Sequence, residues 1–526
     1  MKPSPVTSSL RAPSPRRRYR RLTWTLVTLG TLFTLLYTWF NWTAARQWQT
    51  AQQTLRDNGE TIIFSDLFPD PLPASENFCA IPLLHGIALD QVPGAEATTL
   101  DAPNALESLD LSRLEHASGG EATRPQLAAA SLGTPTDLAA WARWLDGETA
   151  DSADPAARVL AALAPLQPSF DELAAGLGRP HARWTPEWAE RDLPALLVSL
   201  GLPHYSGSRR AAETLALRAI AAARSGDAAT AHQSAGVVAK LTEACLNDPF
   251  LMGLLVGTAQ ASTLNRATWE ICHTRTGTAA DFAQLESALR QLDLRAAALR
   301  AWRGELAAQA NTIQYLRAAP SQRADLLAMV GPEAGPSATT WQAILNRSIP
   351  RGFFDANAAA ITKATWTYAI LPLRDQGWLD VIRRAEEWEL DSRPGQGFTR
   401  DRLYSLSTLM APATHLAARQ VAFGQVILDQ ALIACALERY FITTSSYPDS
   451  LAKLTLADGA PLPVDQISGR PMAYRTTEDG RYLLWSVGLD GKDDGGTRHP
   501  DSGSPAQTNL SAPTYTGDWI WDYPKP

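Results

Sequence analysis

Residues 22–42 read LTWTLVTLGTLFTLLYTWFNW, 21 residues without a charge. At about 1.5 Å of rise per residue, such a helix matches the hydrocarbon thickness of a bilayer. Trp24 stands near one end, and Tyr37, Trp39 and Trp42 near the other, where aromatic side chains settle at a membrane interface. Residues 1–21 carry Lys2, Arg11, Arg16, Arg17, Arg18, Arg20 and Arg21 and no acid. A basic arm on this side alone keeps the N-terminus in the cytoplasm and sends the rest of the chain outward. A cleaved signal peptide would have a shorter apolar region ending in small residues. Here the end is bulky (Tyr-Thr-Trp-Phe-Asn-Trp), so the expectation is an uncleaved single span of the inner membrane with the C-terminal bulk periplasmic.

The remaining charge narrows the partners. The chain has 47 bases and 54 acids; without the seven bases of the arm, 40 face 54. A body at −14 offers no basic surface to replace phosphate counterions, so nucleic acid is not an expected partner. The membrane and other envelope proteins are. Cys79, Cys245, Cys272 and Cys435 include no C-x-x-C spacing, which removes the usual zinc and redox motifs. Buried free thiols are expected, with a Cys245–Cys272 disulfide as the oxidised alternative.

Along the exported part, residues 43–57 continue as a polar helix that Asn58-Gly59 stops. Pro69, Pro71 and Pro73 then favour an extended connector. Residues 91–135, rich in Gly, Pro, Thr and Ala, read as a surface linker with little core. From 136 to 400 the chain is Ala/Leu-rich with helical periodicity. Segments 208–224, 228–246, 250–264, 279–292 and 295–317 are separated by short breaks, the pattern of an antiparallel helical array or bundle. One break, SGDAATA, resembles the turn of a tetratricopeptide helix pair, although the rest of that signature does not recur.

Composition changes near 400. Residues 413–442 form one long helix that is apolar nearly all round, yet Gln425, Asp429 and Gln430 interrupt it. An Asp at mid-bilayer costs at least about 2.5 kcal/mol, so a helix buried inside the body is expected rather than a second span. MAYRTTEDGRYLLWSVG alternates on both sides of Glu478-Asp479-Gly480 and reads as a hairpin. Trp519 and Trp521 could supply a last strand.

Chemistry is thinly represented. The eight histidines form no zinc spacing, and no G-x-S-x-G or phosphate loop occurs. Cys272 and His273 are neighbours on a helix and point apart, so they make no dyad. No catalytic residue is nominated. The loop Ser486 to Gly496 is different: Asp490, Asp493 and Asp494 crowd five residues among four glycines, and Asp518 returns just before the last strand. Calcium takes six to eight oxygen ligands from carboxylates and carbonyls, which such a loop can offer.

The segments ALERYFITTSSYPDSLAKL, DQISGRPMAYR and DGRYLLWSVGLDGKDDGG together resemble the globular part of the major pseudopilin of type II secretion. The resemblance implies a long helix leading into a small antiparallel sheet, with a calcium-binding Gly/Asp loop, over 401–526. A pseudopilin joins its hydrophobic helix directly to this head, whereas here the anchor lies about 370 residues upstream. A carrier of a pseudopilin-like domain is therefore expected, not a filament subunit. The rest of the chain, through 69–84, FDELAAGLGRPHARW at 170–184 and the helical run from 208, is similar to an uncharacterised family of large membrane-anchored bacterial envelope proteins ending in the same module. The expectation is a mostly α protein: transmembrane helix, helical array, and a terminal α+β domain. Its role would be a noncatalytic envelope scaffold, the alternative being an envelope hydrolase with its active site in the helical region.

Overall fold

The computed structural model describes residues 15–67, 72–84, 106, 109–111, 124–127, 133–146, 154–184, 203–318, 349–392, 403–410, 414–497 and 517–521. Lys2 and Arg11 of the basic arm lie outside these residues. The first helix, α1 (Pro15–Asp57), is a single rod of 43 residues. It takes in the rest of the arm, the apolar run and the polar continuation without a break. Its apolar stretch is long and apolar enough to cross a membrane, and its most apolar part is not buried against any of the described residues. The threonines there need no partner: Thr25, Thr28, Thr31 and Thr34 each donate to the carbonyl four residues back. Beyond Phe40 the same rod enters the body, where Ala44, Trp48 and Leu55 are buried. It ends as expected at Asn58-Gly59, with Gly59 at φ +75° and the Glu60 N–H returning to Leu55 O.

The connector that follows makes three short 3₁₀ turns, at Phe64–Leu67, Ala74–Glu76 and Phe78–Ala80. The expected surface linker at 91–135 is corrected where it is described. Leu106, Leu109, Leu111 and Leu127 all sit in the main core. Thr214 Oγ1 donates to Leu109 O, Arg210 pairs with Asp110 at 2.9 Å, and Glu270 accepts the Thr136 N–H at 2.6 Å. Scattered leucines without a period leave no signal in a sequence, yet each one fills a gap between helices.

Short helices α2 (Leu138–Asp146), α3 (Pro155–Leu163) and α4 (Gln167–Ala175) lead into the array. This consists of α5 (Pro203–Arg224), α6 (Ala228–Leu246), α7 (Leu251–Thr274), α8 (Ala279–Arg290) and α9 (Leu294–Ala318). The breaks are built from caps. Asp227 accepts the Thr230 N–H to start α6, and Thr278 with Asp281 forms a reciprocal capping box on α8. Alanines at 211, 212, 216, 219, 231 and 235, all fully buried, let α5, α6 and α7 approach closely. Helix α7 runs ten residues past the expected end at 264. Its continuation is polar but buried: Asn265, Arg266, Thr268 and Glu270 lie inside the bundle. Arg224 and Arg266 both pair with the buried Glu270, at 2.6 and 3.1 Å, which is what makes a polar helix segment tolerable there.

Helix α10 (Arg351–Thr365) passes through a π turn at Trp366–Ile370 into α11 (Leu371–Asp375), followed by α12 (Trp378–Ser392), α13 (Ser405–Met410) and α14 (Thr414–Thr444). The long buried helix expected at 413–442 is α14, and it packs against α7, α8, α9 and α12. The sheet orders β1 (Ala473–Thr476), β2 (Tyr482–Ser486) and β3 (Trp519–Trp521), all antiparallel. Thr476 faces Tyr482 across the expected turn, and Ser486 faces Trp519. One continuous core extends from Leu55 to Trp521, and a smaller one gathers Trp48, Ile313, Phe354 and Leu406 where α1, α9 and α10 meet. A domain boundary near 400 therefore has no counterpart in the packing. Helix α14 closes the core of the array and of the sheet at once.

Candidate functional site

Two places collect polar groups. The first is the acidic loop. Ser486 ends β2 and donates its hydroxyl to Asp465 at 2.7 Å, fixing where the loop begins. Gly488, Gly491, Gly495 and Gly496 all lie at φ between +64° and +73°, backbone that side chains resist. A Cβ on Gly488 would collide with Gly517 O, and one on Gly496 with Leu483, so the loop is pressed onto the strand ends. All four nominated aspartates face this region. Asp518, buried ahead of β3, accepts the Gly496 N–H at 2.7 Å and the Asp494 N–H at 3.3 Å. Asp490 accepts from Lys492 N and Gly517 N, and Asp493 from Gly495 N and the Trp485 indole at 2.9 Å. Burial, followed by the charges of Asp493 and Asp494, pushes the Asp518 carboxyl above its ordinary range, against the pull of its two amide donors.

This donor set suits a hard, oxygen-liganded cation in kind. As arranged, its carboxylates serve backbone amides. Among the described residues no three His, Cys, Asp or Glu side chains come together as a metal-holding group.

Sequence reasoning missed the acids behind the loop. Asp465 is buried and accepts from Ile467 N, Ser468 Oγ and Ser486 Oγ. Asp429, on α14, accepts from Gln425 Nε2 at 2.9 Å, and burial lifts its carboxyl to about 7. The signal for Asp429 was present as a polar interruption of an apolar helix. Asp465 had none beyond an Asp-Gln-Ile-Ser-Gly turn.

The second place is a groove of about 690 Å³ between α6 and α8, walled by Arg179, His232, Lys240, Glu243 and Asp281 among others. Its charged groups are engaged. Arg179 donates to the carbonyls of Ala74 and Asn77, and Lys240 to Pro180 O and Glu243. Glu243 also accepts the Ala182 N–H, and Asp281 caps α8. His232 Nε2 lies 2.9 Å from Thr276 O, and burial lowers the imidazole below its ordinary value. Known proteins add nothing to these two places.

Set against known protein families, curated proteins and solved structures, the chain matches none.

The cysteines are chemically quiet. All four are free and buried, so Cys245 and Cys272 are not joined. Burial pushes the Cys245 thiol up to about 12, and raises Cys79 and Cys272 well above the ordinary value, the opposite of an activated nucleophile. His273, beside Cys272 in sequence, stacks on Trp269 at 5.1 Å.

Proposed function

We propose that this chain is a noncatalytic scaffold or interaction protein of a bacterial envelope, held in the inner membrane by one span, with its N-terminus cytoplasmic and its bulk periplasmic. The observation that supports this most is the unbroken α1 rod, whose exposed apolar half runs without a linker into a half built into both cores. A tethered enzyme needs only a flexible leash. A body whose orientation to the membrane is fixed by a helix suits the presentation of surfaces to other envelope proteins. The engagement of every charged group in the α6–α8 groove supports the same reading over a hydrolase. A general acid or base must be free to meet substrate.

In this reading the terminal module resembles the pseudopilin head and serves secretion, and the acidic loop takes calcium. Asp490, Asp493, Asp494 and Asp518 would supply the carboxylates, and the cation would relieve the repulsion among them. The whole chain is the proper test object, because α14 belongs to a shared core. Calcium at millimolar concentration should raise the unfolding midpoint, and Asp494→Ala with Asp518→Ala should abolish the rise. No rise would leave a solvated turn. The scaffold itself is tested by recovering the full chain from membranes, with calcium and with chelator: specific co-purifying envelope proteins support it, and a turnover lost on mutating the groove overturns it. For topology, a reporter that works only outside the cytoplasm should be active after residue 60 and silent before residue 20.

A further inference from the structure

The rod leaves the apolar layer at a definite level, and the body is already there. Residues 22–39 are exposed on all sides, and burial begins at Phe40 and Asn41. Eighteen residues span about 27 Å, slightly short of a hydrocarbon core of about 30 Å. The apolar layer therefore closes at Asn41 and Trp42. At that level the first turn of α10 abuts the rod: the Gly352 N–H donates to Asn41 Oδ1 at 2.6 Å. A Cβ on Gly352 would lie 2.9 Å from Asn41 Cα and 3.1 Å from the Phe40 ring, so nothing larger than glycine fits between.

The groups exposed at this level share one chemistry. Trp39 and Trp42 are exposed, and the Arg46 guanidinium lies over the Trp42 ring at 4.1 Å. Arg351 is exposed at the positive end of the α10 dipole. Neither arginine forms an ion pair among the described residues. No acid precedes Asp57 in the chain, although beyond residue 21 the acids number 54 against 40 bases. Indoles beside two guanidinium groups that form no ion pair among the described residues match the zone of lipid phosphates.

We infer that Trp42, Arg46 and Arg351 form a collar that seats the body directly on phospholipid headgroups. This rests on the membrane reading above. The test uses the full chain in vesicles of phosphatidylethanolamine and phosphatidylglycerol, with single dyes on Arg351→Cys, Asp57→Cys and Leu29→Cys. The four native thiols are buried, so the introduced one takes the label. Asp57 is exposed and about 22 Å farther along the rod than Trp42. A nitroxide on the lipid headgroup should quench the dye at 351 several-fold more than the dye at 57. Equal quenching at the two positions would overturn the seated collar. A nitroxide on the acyl chain should quench the dye at 29; if it does not, the span itself fails, which separates the two ideas.

Discussion

Among the described residues, two helices are long and apolar enough to cross a membrane, and their surroundings are opposite. The most apolar stretch of α1 is wholly exposed, while that of α14 is 89 % buried in protein. Hydropathy does not separate them. What does is the kind of polar residue each contains. The exposed apolar stretch of α1 uses threonines, whose hydroxyls return to their own helix and ask nothing of a neighbour. Helix α14 uses Gln425, Asp429 and Gln430; Gln425 donates to Asp429 one turn on, and both glutamines also reach other elements. Gln425 Oε1 accepts the Leu294 N–H that opens α9, at 2.8 Å, and Gln430 Nε2 donates to Trp519 O in β3 at 2.6 Å. In lipid those groups would be orphans; in the body they are the bonds that tie three elements together.

The contrast can be broken most forcefully at Ile433. It is fully buried in α14, so Ile433→Ala should cost about 2–5 kcal/mol and lower the unfolding midpoint of the detergent-solubilised protein. Leu29→Ala, on the exposed span, should leave that midpoint where it was. If both shift it equally, the two helices share one environment and the contrast collapses. Leu29→Arg should do the reverse. It adds roughly 3 kcal/mol to insertion, so the alkali-resistant membrane fraction should fall while unfolding of the body is unchanged.

A third measurement addresses pH. Asp429 holds its proton to about 7, against an ordinary 3.8. The folded state thus binds that proton more tightly than the unfolded chain does. The resulting stability is fully present below about pH 4 and lost as pH rises through about 7. Asp429→Asn keeps an acceptor for Gln425 and removes the charge. It should stabilise the protein at pH 8, on the order of 1–3 kcal/mol, and flatten the decline between pH 5 and 8. A variant with the wild-type slope would show that Asp429 is ionised throughout. The smallest effect belongs to the span: Thr31→Val should change neither retention nor unfolding by more than about 0.5 kcal/mol, because its hydroxyl serves only Val27 O.

Legibility in the sequence followed the same division between local and remote causes. Helix α6 begins and ends where its caps say, since Asp227 and Asn247 act within a few residues. The hairpin around Gly480 and the end of α1 at Gly59 were readable for the same reason. The overrun of α7 was not, because Arg266 and Glu270 are made helical by partners on α5 and around Thr136. Leu106, Leu109 and Leu111 have no period to betray their place in the core. Asp490, Asp493 and Asp494 stand out by density and Asp518 by its place just before the last strand, whereas Asp465, which orients Ser486 at the loop's root, is visible only in three dimensions. Composition changes near 400, yet α14 packs in the one core that also holds the array and the sheet.

The jointless α1 has a mechanical consequence. If α1 crosses a bilayer as proposed, then with Trp48 and Leu55 clamped in two cores and no swivel below Phe40, the body cannot tumble freely relative to that bilayer. Only lateral diffusion and spin about the membrane normal remain. Much of the rotational entropy that a partner in the same membrane would otherwise remove on docking has been given up at folding. Encounters between such a body and another anchored protein become a search in two dimensions and one angle, in which weak contacts suffice to hold.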